Sequence, residues 1–472
     1  MEPPRALAAD ETSSSQGSAL YVLLLTLVAA LGGLLFGYDT AVISGAIGFL
    51  TKRFSLNAVM QGWAAGSVLV GCMIGASVAG FVSDRFGRKK AMVLAAVLFT
   101  VSAVGAAIPR NVTEFVIARM LGGVGIGIAS MLSPLYISEI APARSRGRLV
   151  SVNQFAIIFG MLVVYFVNAK VASLGSEAWN VAVGWRWMFA SGILPALLFL
   201  VLLAAVPESP RWLAKRGRSS EAERVLARIG GADHARREIA DIQDALTHKR
   251  EESLAQLFEP VMRLPLLIGI GLAILQQITG INIVLYYAPE IFRSAGSLTH
   301  KAMNDTVIVG AVNLAFTIVA IGIVDRLGRK PLLLIASAGM GVSLALLGWA
   351  FVFHLFQGPL VLLFVLTYVA SFALAMGPVV WVVIAEIFPT RIRGRAMSVA
   401  TVCLWLSCFA VTQLFPIMLE RLEGKVFFLY AVICAAAFVF VALVVPETKG
   451  KSLEEIERQW FKSAESPRQT DG

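Results

Sequence analysis

Charged residues are scarce in this chain, where Asp, Glu, Lys and Arg together account for 15% of 472 residues. Soluble domains carry about 25%. Cysteine and histidine are also rare, with four residues of each, and the four cysteines lie far apart inside apolar stretches. Neither a disulfide framework nor a metal-ligand spacing is present. These scarcities exclude a soluble enzyme, a disordered scaffold and a disulfide-stapled secreted domain, and they predict no metal or cofactor.

Long apolar runs take the place of the missing charge. Hydrophobic residues make up 57% of the chain, and its mean hydropathy is +0.77. Such runs cross a hydrocarbon layer of about 30 Å as helices, because open strand edges cannot satisfy their backbone in lipid. The sequence predicts an all-α membrane protein with twelve transmembrane helices, near 19–50, 60–82, 90–109, 113–137, 149–172, 186–206, 263–294, 304–324, 331–353, 358–386, 393–419 and 424–445.

The predicted helices form two groups of six. The predicted organisation is a tail at 1–18, a six-helix bundle at 19–206, a helical linker at 207–262, a second six-helix bundle at 263–445 and a tail at 446–472. Loops 2–3, 4–5, 8–9 and 10–11 carry thirteen Lys or Arg, against nine on the opposite side. Because positive loops face the cytoplasm, we expect both tails and the linker there, in a multi-pass protein of the plasma (inner) membrane.

The net charge of +10 does not indicate nucleic-acid binding. The basic residues lie in short loops between apolar runs, where positive charge meets anionic lipid. Membrane lipid is therefore an expected partner, and nucleic acid is not.

The linker has the pattern of amphipathic helix. Ser220 and Glu223 have the spacing of a capping box, and a break is expected at Gly230 and Gly231. Apolar positions recur on one helix face, at Val225, Leu226, Ile229, Ile239, Ile242 and Leu246. A segment that packs under the bundle and a gating element are both open.

Two glycine-rich stretches lie inside apolar runs. GGVGIG at 122–127 has part of a dinucleotide-binding pattern, but no strand precedes it. Close helix packing is the better interpretation, as for GCMIG at 71–75. Neither stretch predicts a cofactor.

Three motifs occur twice at a nearly constant separation. GFVSDRFGRKK around Asp84 returns around Asp325 as GIVDRLGRKP, SEIAPARSRGR around Glu139 returns around Glu386 as AEIFPTRIRGR, and VPESPRW around Glu208 returns around Glu447 as VPETKGK. The offsets are 241, 247 and 239. Each copy follows the same-numbered helix of its group, so the two groups are parallel repeats, an architecture that exposes a central site alternately to either side.

Six motifs in order carry a family resemblance: DRFGRKK (84–90), PLYISEIAPARSRG (134–147), PESPRWL (207–213), QQITGINIVLYYAPEIF (276–292), GPVVWVVIAEIFPTRIRG (377–394) and PETKGKSLEE (446–455). With them the chain resembles the sugar porter family of the major facilitator superfamily over nearly its whole length. SVNQFAIIFG (151–160) is similar to bacterial D-xylose:proton symporters. The resemblance implies the major facilitator fold and proton-coupled import of a monosaccharide, which is a pentose, hexose or polyol, by a chain that we expect to be monomeric.

Two charges lie well inside the predicted helices, Asp39 in the first and Arg119 in the fourth. A charge in hydrocarbon costs at least ~2.5 kcal/mol, and counting from the helix ends places both residues at similar depth, so they could meet. Burial raises the pKa of a carboxyl group and a neighbouring guanidinium lowers it, so such a pair can switch its protonation. We expect Asp39 to carry the proton and Arg119 to tune it, as the family resemblance also implies. A static ion pair is the alternative.

Amides and aromatic rings inside the helices suit a sugar. Amides offer donors and an acceptor to the hydroxyl rim, and rings cover the apolar faces. The candidates, at positions that the resemblance implies, are Phe36, Gln154, Gln276, Gln277, Asn282, Tyr286, Tyr287, Asn313 and Trp381. The GIN step at 280–282 would let the helix break and align the amides. The alternatives are interhelical hydrogen bonds for the amides and ordinary packing for Phe36 and the tyrosines.

Four positions depart from the family pattern. Met161 replaces a glutamine of the xylose symporters and Met376 replaces a tryptophan, and Leu404 and Cys408 stand in a helix that usually brings an amide to the sugar. The resemblance therefore predicts a less polar pocket and does not select xylose over another monosaccharide.

The repeated motifs place opposite charges at helix ends on the basic side. The resemblance implies a salt-bridge latch that closes the inner face and breaks when it opens, formed by Asp84, Arg85, Arg88, Glu139, Arg146, Glu208, Arg211, Asp325, Arg326, Arg329, Glu386, Arg393 and Glu447. Orientation of the chain by positive charge alone is the alternative. Exposed ion pairs are individually weak, ~0–1 kcal/mol, which suits contacts that open in every cycle.

Three other functions compete with proton-coupled import. An uncoupled sugar facilitator keeps the fold and loses the role of Asp39 and Arg119. A sugar-binding sensor would need a signalling domain, and neither predicted tail has a recognisable one. An intramembrane enzyme would need a nucleophile–base or metal constellation in the helices, and none is seen.

Overall fold

The computed structural model describes residues 18–142, 144–247, 259–355, 359–388, 392–450 and 455, without the side chains of 245–247, 260 and 325. Every regular element in these residues is helical. The helices are α1 (Ala19–Phe54), α2 (Ala58–Phe86), α3 (Arg88–Ala107), α4 (Val112–Ile140), α5 (Arg146–Ala172), α6 (Glu177–Trp179), α7 (Trp185–Ala190), α8 (Ile193–Ala205), α9 (Pro210–Lys215), α10 (Ser219–Gly230), α11 (Ala232–Thr247), α12 (Arg263–Ile278), α13 (Ile281–Ser294), α14 (Thr299–Leu327), α15 (Arg329–Val352), α16 (Leu360–Ser371), α17 (Pro378–Ile387), α18 (Arg393–Leu422) and α19 (Val426–Val444). The predicted tail segments 1–17 and 456–472 and the side chains of Leu246 and Asp325 lie outside the described part.

Eleven helical segments of the described chain are long and apolar enough to cross a membrane. The last of them, Arg393–Val444, contains α18 and α19, which the 3-10 turn Glu423–Lys425 separates. The described chain therefore has the twelve predicted crossings. Helices α2 and α4 have 29 residues each, more than the ~20 that a crossing needs, so they tilt or extend beyond the hydrocarbon.

Three crossings are interrupted. A π-helical turn, Asn180–Gly184, precedes α7 in the sixth, and another, Phe372–Met376, precedes α17 in the tenth. The seventh breaks at Gly280, whose φ of 102° lies in the left-handed region that glycine adopts without strain. The predicted break at the GIN step is confirmed.

Helices α2 and α4 approach each other along glycines. A Cβ on Gly123 would lie 1.9 Å from the carbonyl oxygen of Val68, and one on Gly127 would lie 2.4 Å from that of Cys72. Gly71 on the facing helix is equally close to the α4 backbone. The predicted role of the two glycine-rich stretches in close helix packing is confirmed.

The described part of the linker, 207–247 and 259–262, forms helices, as predicted, but the predicted capping box of Ser220 and Glu223 is wrong. Leu226 and Ile229 are buried on one face of α10. Ser220 is not the N-cap, because α10 begins one residue earlier and Arg218 occupies the N-cap position without a side-chain cap. The Arg218 guanidinium instead pairs with Glu221 at 2.6 Å, so an ion pair across the first turn takes the place of the capping box.

The first half (residues 18–206) and the second half (residues 263–445) meet mainly at one end. We name the end with the loops around residues 87 and 328 the basic end, and the other the opposite end. Near the opposite end, Gln413 Nε2 donates to the carbonyl oxygen of Val59 at 2.9 Å. One turn deeper, the rings of Trp63 and Phe409 meet edge-on with centroids 6.0 Å apart. Helix α18 thus closes against α2 on the side away from the basic loops.

Candidate functional site

Asp39 of α1 and Arg119 of α4 form an ion pair inside the first half. Arg119 Nη1 donates to Asp39 Oδ1 at 2.9 Å, and Nη2 donates to the Asp39 carbonyl oxygen at 3.0 Å. The Arg119 side chain is fully buried, and 14% of the Asp39 side chain is exposed. The two charges that the sequence places at similar depth are therefore direct partners.

Two polar atoms of this pair are left without a partner. Asp39 Oδ2 and Arg119 Nε are buried and accept or donate no hydrogen bond within the described chain, and the same holds for the Ser102 hydroxyl. A Cβ on Gly122 would lie 2.3 Å from Ser102 Oγ and 3.2 Å from Asp39 Oδ2, so glycine leaves the room that these groups occupy. The Phe189 ring, centred 5.6 Å from Arg119 Cζ, covers the guanidinium. The free carboxylate oxygen is a place where a proton can bind.

Three predicted amides form a hydrogen-bonded chain along the seventh crossing. Gln277 Nε2 donates to Gln276 Oε1 at 3.2 Å, and Asn282 Nδ2 donates to Gln277 Oε1 at 2.5 Å. Asn282 Nδ2 also lies 3.1 Å from the sulfur of Cys408 on α18. On an unbroken helix positions 277 and 282 would point in different directions, so the break at Gly280 brings these amides together.

Gln276 has a structural part in this chain. Its Nε2 donates to the carbonyl oxygens of Met376 and Gly377, at 2.8 and 3.0 Å, where the tenth crossing is interrupted before Pro378. Both amide hydrogens are thereby used, as the interhelical alternative for the amides expects. Gln277 keeps one amide hydrogen and Asn282 keeps its Oδ1, so these two retain groups for a solute.

Aromatic side chains line the boundary between the halves. The rings of Phe36 on α1 and Trp405 on α18 are 5.8 Å apart. The indole nitrogen of Trp405 is buried and has no partner within the described chain, although a buried tryptophan N–H usually has one. Tyr286 and Tyr287 are buried, and the Tyr287 hydroxyl donates to the Thr412 carbonyl oxygen at 3.2 Å.

Three predicted residues stay outside this cluster. Asn313 is buried, whereas Gln154 and Trp381 are half-buried. In the part of the chain that the structure describes, no side-chain hydrogen bond or ring contact links them to the amides or to Phe36. Their role in binding a solute stays a prediction.

The sequence did not predict Trp405 as a site residue, and Cys408 was expected only to make the pocket less polar. Leu404 and Met161 are buried apolar side chains, as their departures predict, but the Cys408 sulfur accepts the hydrogen bond of Asn282. The available signal for Trp405 was its position midway along an apolar run, because tryptophan is otherwise enriched where helices leave the membrane.

The first cluster at the basic end centres on Arg88. Its Nη1 lies 3.1 Å from Asp84 Oδ1, and its Nε lies 3.0 Å from Glu139 Oε2. Glu208 Oε1 accepts the backbone N–H groups of Arg88 and Lys89 at 2.8 and 3.1 Å. Glu208 therefore caps the N-terminus of α3, where the helix dipole favours a negative charge.

The second half repeats this cluster. Arg329 Nη2 lies 2.9 Å from Glu386 Oε1, and Glu447 accepts the backbone N–H groups of Arg329 and Lys330 at 3.1 and 3.0 Å. The sequence repeat is thus a repeat of contacts, in which each ion pair joins helices of the same half.

Burial raises the pKa of the Glu447 carboxyl, but the backbone N–H groups of Lys449, Arg329 and Lys330 outweigh it. The pKa of Glu447 therefore lies below its usual value, and the cap of α15 is ionised at neutral pH.

The other predicted latch residues are placed differently. Arg85, Arg146, Arg211 and Arg326 are exposed and form no ion pair with another described residue. Arg393 Nε donates to the Phe388 carbonyl oxygen at 3.3 Å. Among the described side chains, each cluster thus includes one arginine and two glutamates, and Asp84 takes part in the first.

Twelve crossings in two repeats, with matching charged clusters at the basic end and a polar centre, are the architecture of a major facilitator. The family model described as "Sugar (and other) transporter" matches residues 25–460, and the chain belongs to this family. The arabinose-proton symporter of Bacillus subtilis (strain 168) is 44% identical over 443 residues, which cover 94% of this chain and 96% of that protein. The D-xylose-proton symporter of Escherichia coli (strain K12) is 44% identical over 490 residues, which cover 97% and 99%.

Solved structures of the xylose transporter XylE from E. coli, 44% identical, are similar to this one. Its inward open conformation matches with a TM-score of 0.83 and covers 93% of this chain and 100% of that one. The symporter XylE bound to 6-bromo-6-deoxy-D-glucose matches with a TM-score of 0.76, covering 93% and 99%.

Proposed function

We propose that this protein is a secondary active transporter that imports a monosaccharide together with a proton by alternating access. The observation that carries the proposal is the buried Asp39–Arg119 ion pair with its free carboxylate oxygen. The names of its relatives, an arabinose-proton and a D-xylose-proton symporter, support both the cargo and the proton.

Asp39 carries the proton in this proposal, and Arg119 determines when the proton binds. The guanidinium favours the carboxylate, whereas exclusion of water favours the neutral acid. A proton on Oδ2 neutralises the carboxylate and weakens the ion pair, which lets α1 move relative to α4. Phe36 precedes Asp39 by three residues and so lies on the same face of α1. Movement of Asp39 with α1 therefore also moves the Phe36 ring, which forms one side of the proposed sugar site.

The sugar lies between the amides of the seventh crossing and the Phe36–Trp405 pair. Gln277 and Asn282 bind hydroxyl groups on its rim, and the rings cover its C–H faces. The unpaired Trp405 N–H donates to a further hydroxyl. Buried Leu404 and Met161 reduce the polarity of the pocket, so the substrate class is monosaccharide, either pentose, hexose or polyol.

We infer that the basic end is cytoplasmic, with both termini and the 207–262 linker on that side of the plasma membrane. Because the halves meet near the opposite end, the structure represents an inward-facing state. The TM-score of 0.83 with the inward open conformation of XylE supports this. The Arg88 and Arg329 clusters are intact in this state. We therefore propose that they hold each half together while the halves rock, which replaces the expectation that they break when this face opens.

The test is transport by purified protein in proteoliposomes. A panel of pentoses, hexoses and polyols identifies the substrate, and accumulation is then measured with an imposed pH gradient, with and without a protonophore. We expect the protonophore to abolish uphill accumulation. Asp39→Asn should abolish accumulation and retain sugar counterflow, because the sugar site persists while the proton carrier is lost.

The matched control is Asp305→Asn, which removes another buried acid, in α14, and should leave accumulation unchanged. Wild-type transport that does not depend on the pH gradient would instead show that the protein is an uncoupled facilitator. Accumulation at the wild-type level by Asp39→Asn would exclude Asp39 as the carrier.

A further inference from the structure

A cavity lies at the basic end, away from the proposed transport path. Its volume is about 540 Å³, and it opens between the first turn of α3, the helix α9 and one face of α10. Trp212, Leu213 and Val225 form an apolar side, and Phe86, which is 52% exposed, lies at its edge. The cavity therefore combines a polar side with an apolar one.

The charges around this cavity do not balance. Five cations and two acids line it, namely Lys89, Lys90, Arg218, Arg224, Arg228, Glu208 and Glu221. Both acids are engaged, because Glu221 pairs with Arg218 at 2.6 Å and Glu208 caps α3. Lys90, Arg224 and Arg228 form no ion pair with a described carboxylate, although Glu221 also acts on Arg224 at longer range. The cavity thus holds an excess of positive charge, because five cations face two acids.

Contacts to the membrane helices place the cavity where they leave the hydrocarbon. Lys89 Nζ donates to the carbonyl oxygen of Ala204 in the last turn of α8, at 3.0 Å. Arg228 Cζ lies 4.3 Å from the ring centre of Tyr21, in the first turn of α1. Apolar side chains around Tyr21 in the first turns of α1 are exposed, at Leu20, Leu23, Leu24 and Leu27. The cations therefore lie at the depth of lipid headgroups.

We propose that this cavity binds a phosphate group, supplied by the headgroup of an anionic phospholipid. A phosphate oxygen accepts hydrogen bonds from lysine and arginine together, and basic pockets at this depth attract anionic headgroups. The apolar side at Phe86 and Val225 accommodates the first carbons of the lipid. A bound headgroup would connect α10 of the linker to α3 of the first half. The proposal does not depend on which solute is transported.

The test measures binding to the full-length protein in a neutral detergent. Dioctanoyl phosphatidylglycerol, dioctanoyl phosphatidylcholine and inorganic phosphate are titrated separately, and the thermal unfolding midpoint is recorded. The double variant Lys90→Gln with Arg224→Gln is compared with Arg144→Gln with Arg148→Gln, which removes the same charge from exposed residues at the start of α5.

We expect phosphatidylglycerol to raise the midpoint saturably in the wild type and the control, with an affinity about tenfold or more lower in the cavity variant. Phosphatidylcholine should have little effect. Saturable binding of inorganic phosphate, with the same loss of affinity in the cavity variant, would support the phosphate site and identify free phosphate as the ligand. An equal loss of phosphatidylglycerol affinity in both double variants, or no loss in Lys90→Gln with Arg224→Gln, would overturn the proposal. The single variant Lys90→Gln provides the comparison if the double variant does not fold.

Discussion

Asp39 is held differently from the glutamates that cap α3 and α15. Its Oδ1 accepts from Arg119, while Oδ2 stays without a partner. Glu208 and Glu447 instead accept backbone N–H groups at a helix N-terminus, and at Glu447 these groups hold the pKa below its usual value. An acid with one charged partner and one free oxygen can change its protonation, which fits the proton-carrying role proposed for Asp39.

The Cys408 sulfur provides a prediction at the residue scale. Cys408→Ala removes the acceptor that helps to orient the Asn282 amide. Because a neutral hydrogen bond contributes about 0.5–1.5 kcal/mol, and sulfur lies at the weak end of this range, we expect KM for sugar to rise about two- to fivefold. Transport should remain coupled to the proton. The measurement is initial uptake against sugar concentration in proteoliposomes.

Cys403→Ala is the control, because it removes a half-buried thiol one and a half turns away on the same helix. Equal KM values for the two variants would show that the Cys408 sulfur has no part in arranging the site.

At the scale of helices, the polar centre coincides with the interruptions of two crossings. The seventh breaks at Gly280, and the tenth is interrupted before Pro378. Gln276 connects the two interrupted crossings by donating to the Met376 and Gly377 carbonyl oxygens of the tenth. Backbone groups near a helix break inside a membrane need hydrogen-bond partners, so Gln276 stabilises the interrupted helices, whereas Gln277 and Asn282 are the amides proposed to bind the solute.

The cap of α15 by Glu447 gives a pH-dependent prediction. The pKa of Glu447 is lowered in the folded protein, so its contribution to stability is complete above the unfolded-state value of about 4.3. This contribution is lost as the pH falls through the lower folded-state pKa. The difference in unfolding midpoint between the wild type and Glu447→Gln should be constant from about pH 7 to 5.5 and shrink below about pH 4.3.

Glu223→Gln, on the exposed face of α10, should show no such change. A difference for Glu447→Gln that stays the same down to pH 3 would contradict the role of its ionised form.

At the scale of the whole molecule, an ion pair at the opposite end joins the two halves. Glu177 of the first half contacts both Lys52 and Arg293, and the Arg293 pair, at 3.6 Å, crosses to the second half. Arg293 Nη1 also pairs with Glu290 Oε1, at 3.2 Å. Glu177, Glu290 and Arg293 border a cavity of about 780 Å³. Exposed ion pairs of ~0–1 kcal/mol close this end without preventing its opening.

Glu177→Gln should therefore shift the balance between the two facing states. We expect the population open at the opposite end to grow by up to about fivefold, which corresponds to the loss of one exposed pair. Spin labels at Leu174→Cys and Leu298→Cys, both exposed at this end, would report the change as a distance distribution measured by electron paramagnetic resonance.

Glu420→Gln is the control, because Glu420 borders the same cavity and has no ion-pair partner among the described residues. An unchanged distribution for Glu177→Gln would show that apolar contacts, such as Trp63 with Phe409, close this end alone.

Much of this arrangement was accessible from the sequence. The crossings follow from run length, because the thickness of the hydrocarbon sets how many apolar residues a helix needs. Asp39 and Arg119 stood out because charge is costly in lipid. The role of Gln276 toward the backbone of the tenth crossing was not predictable in the same way, since a hydrogen bond to a backbone carbonyl of a distant helix has no signature in the residue types.

The sequence by itself determined the all-helical architecture, the repeat and the isolated acid and base, because each depends on local hydropathy or on short motifs. Only the tertiary structure decided which groups meet: the Cys408 sulfur with Asn282, Phe36 with Trp405, and the unpaired cations around the cavity at α10. These partners are distant along the chain, and their contact depends on how twelve helices tilt and pack against one another, which no short stretch of sequence encodes.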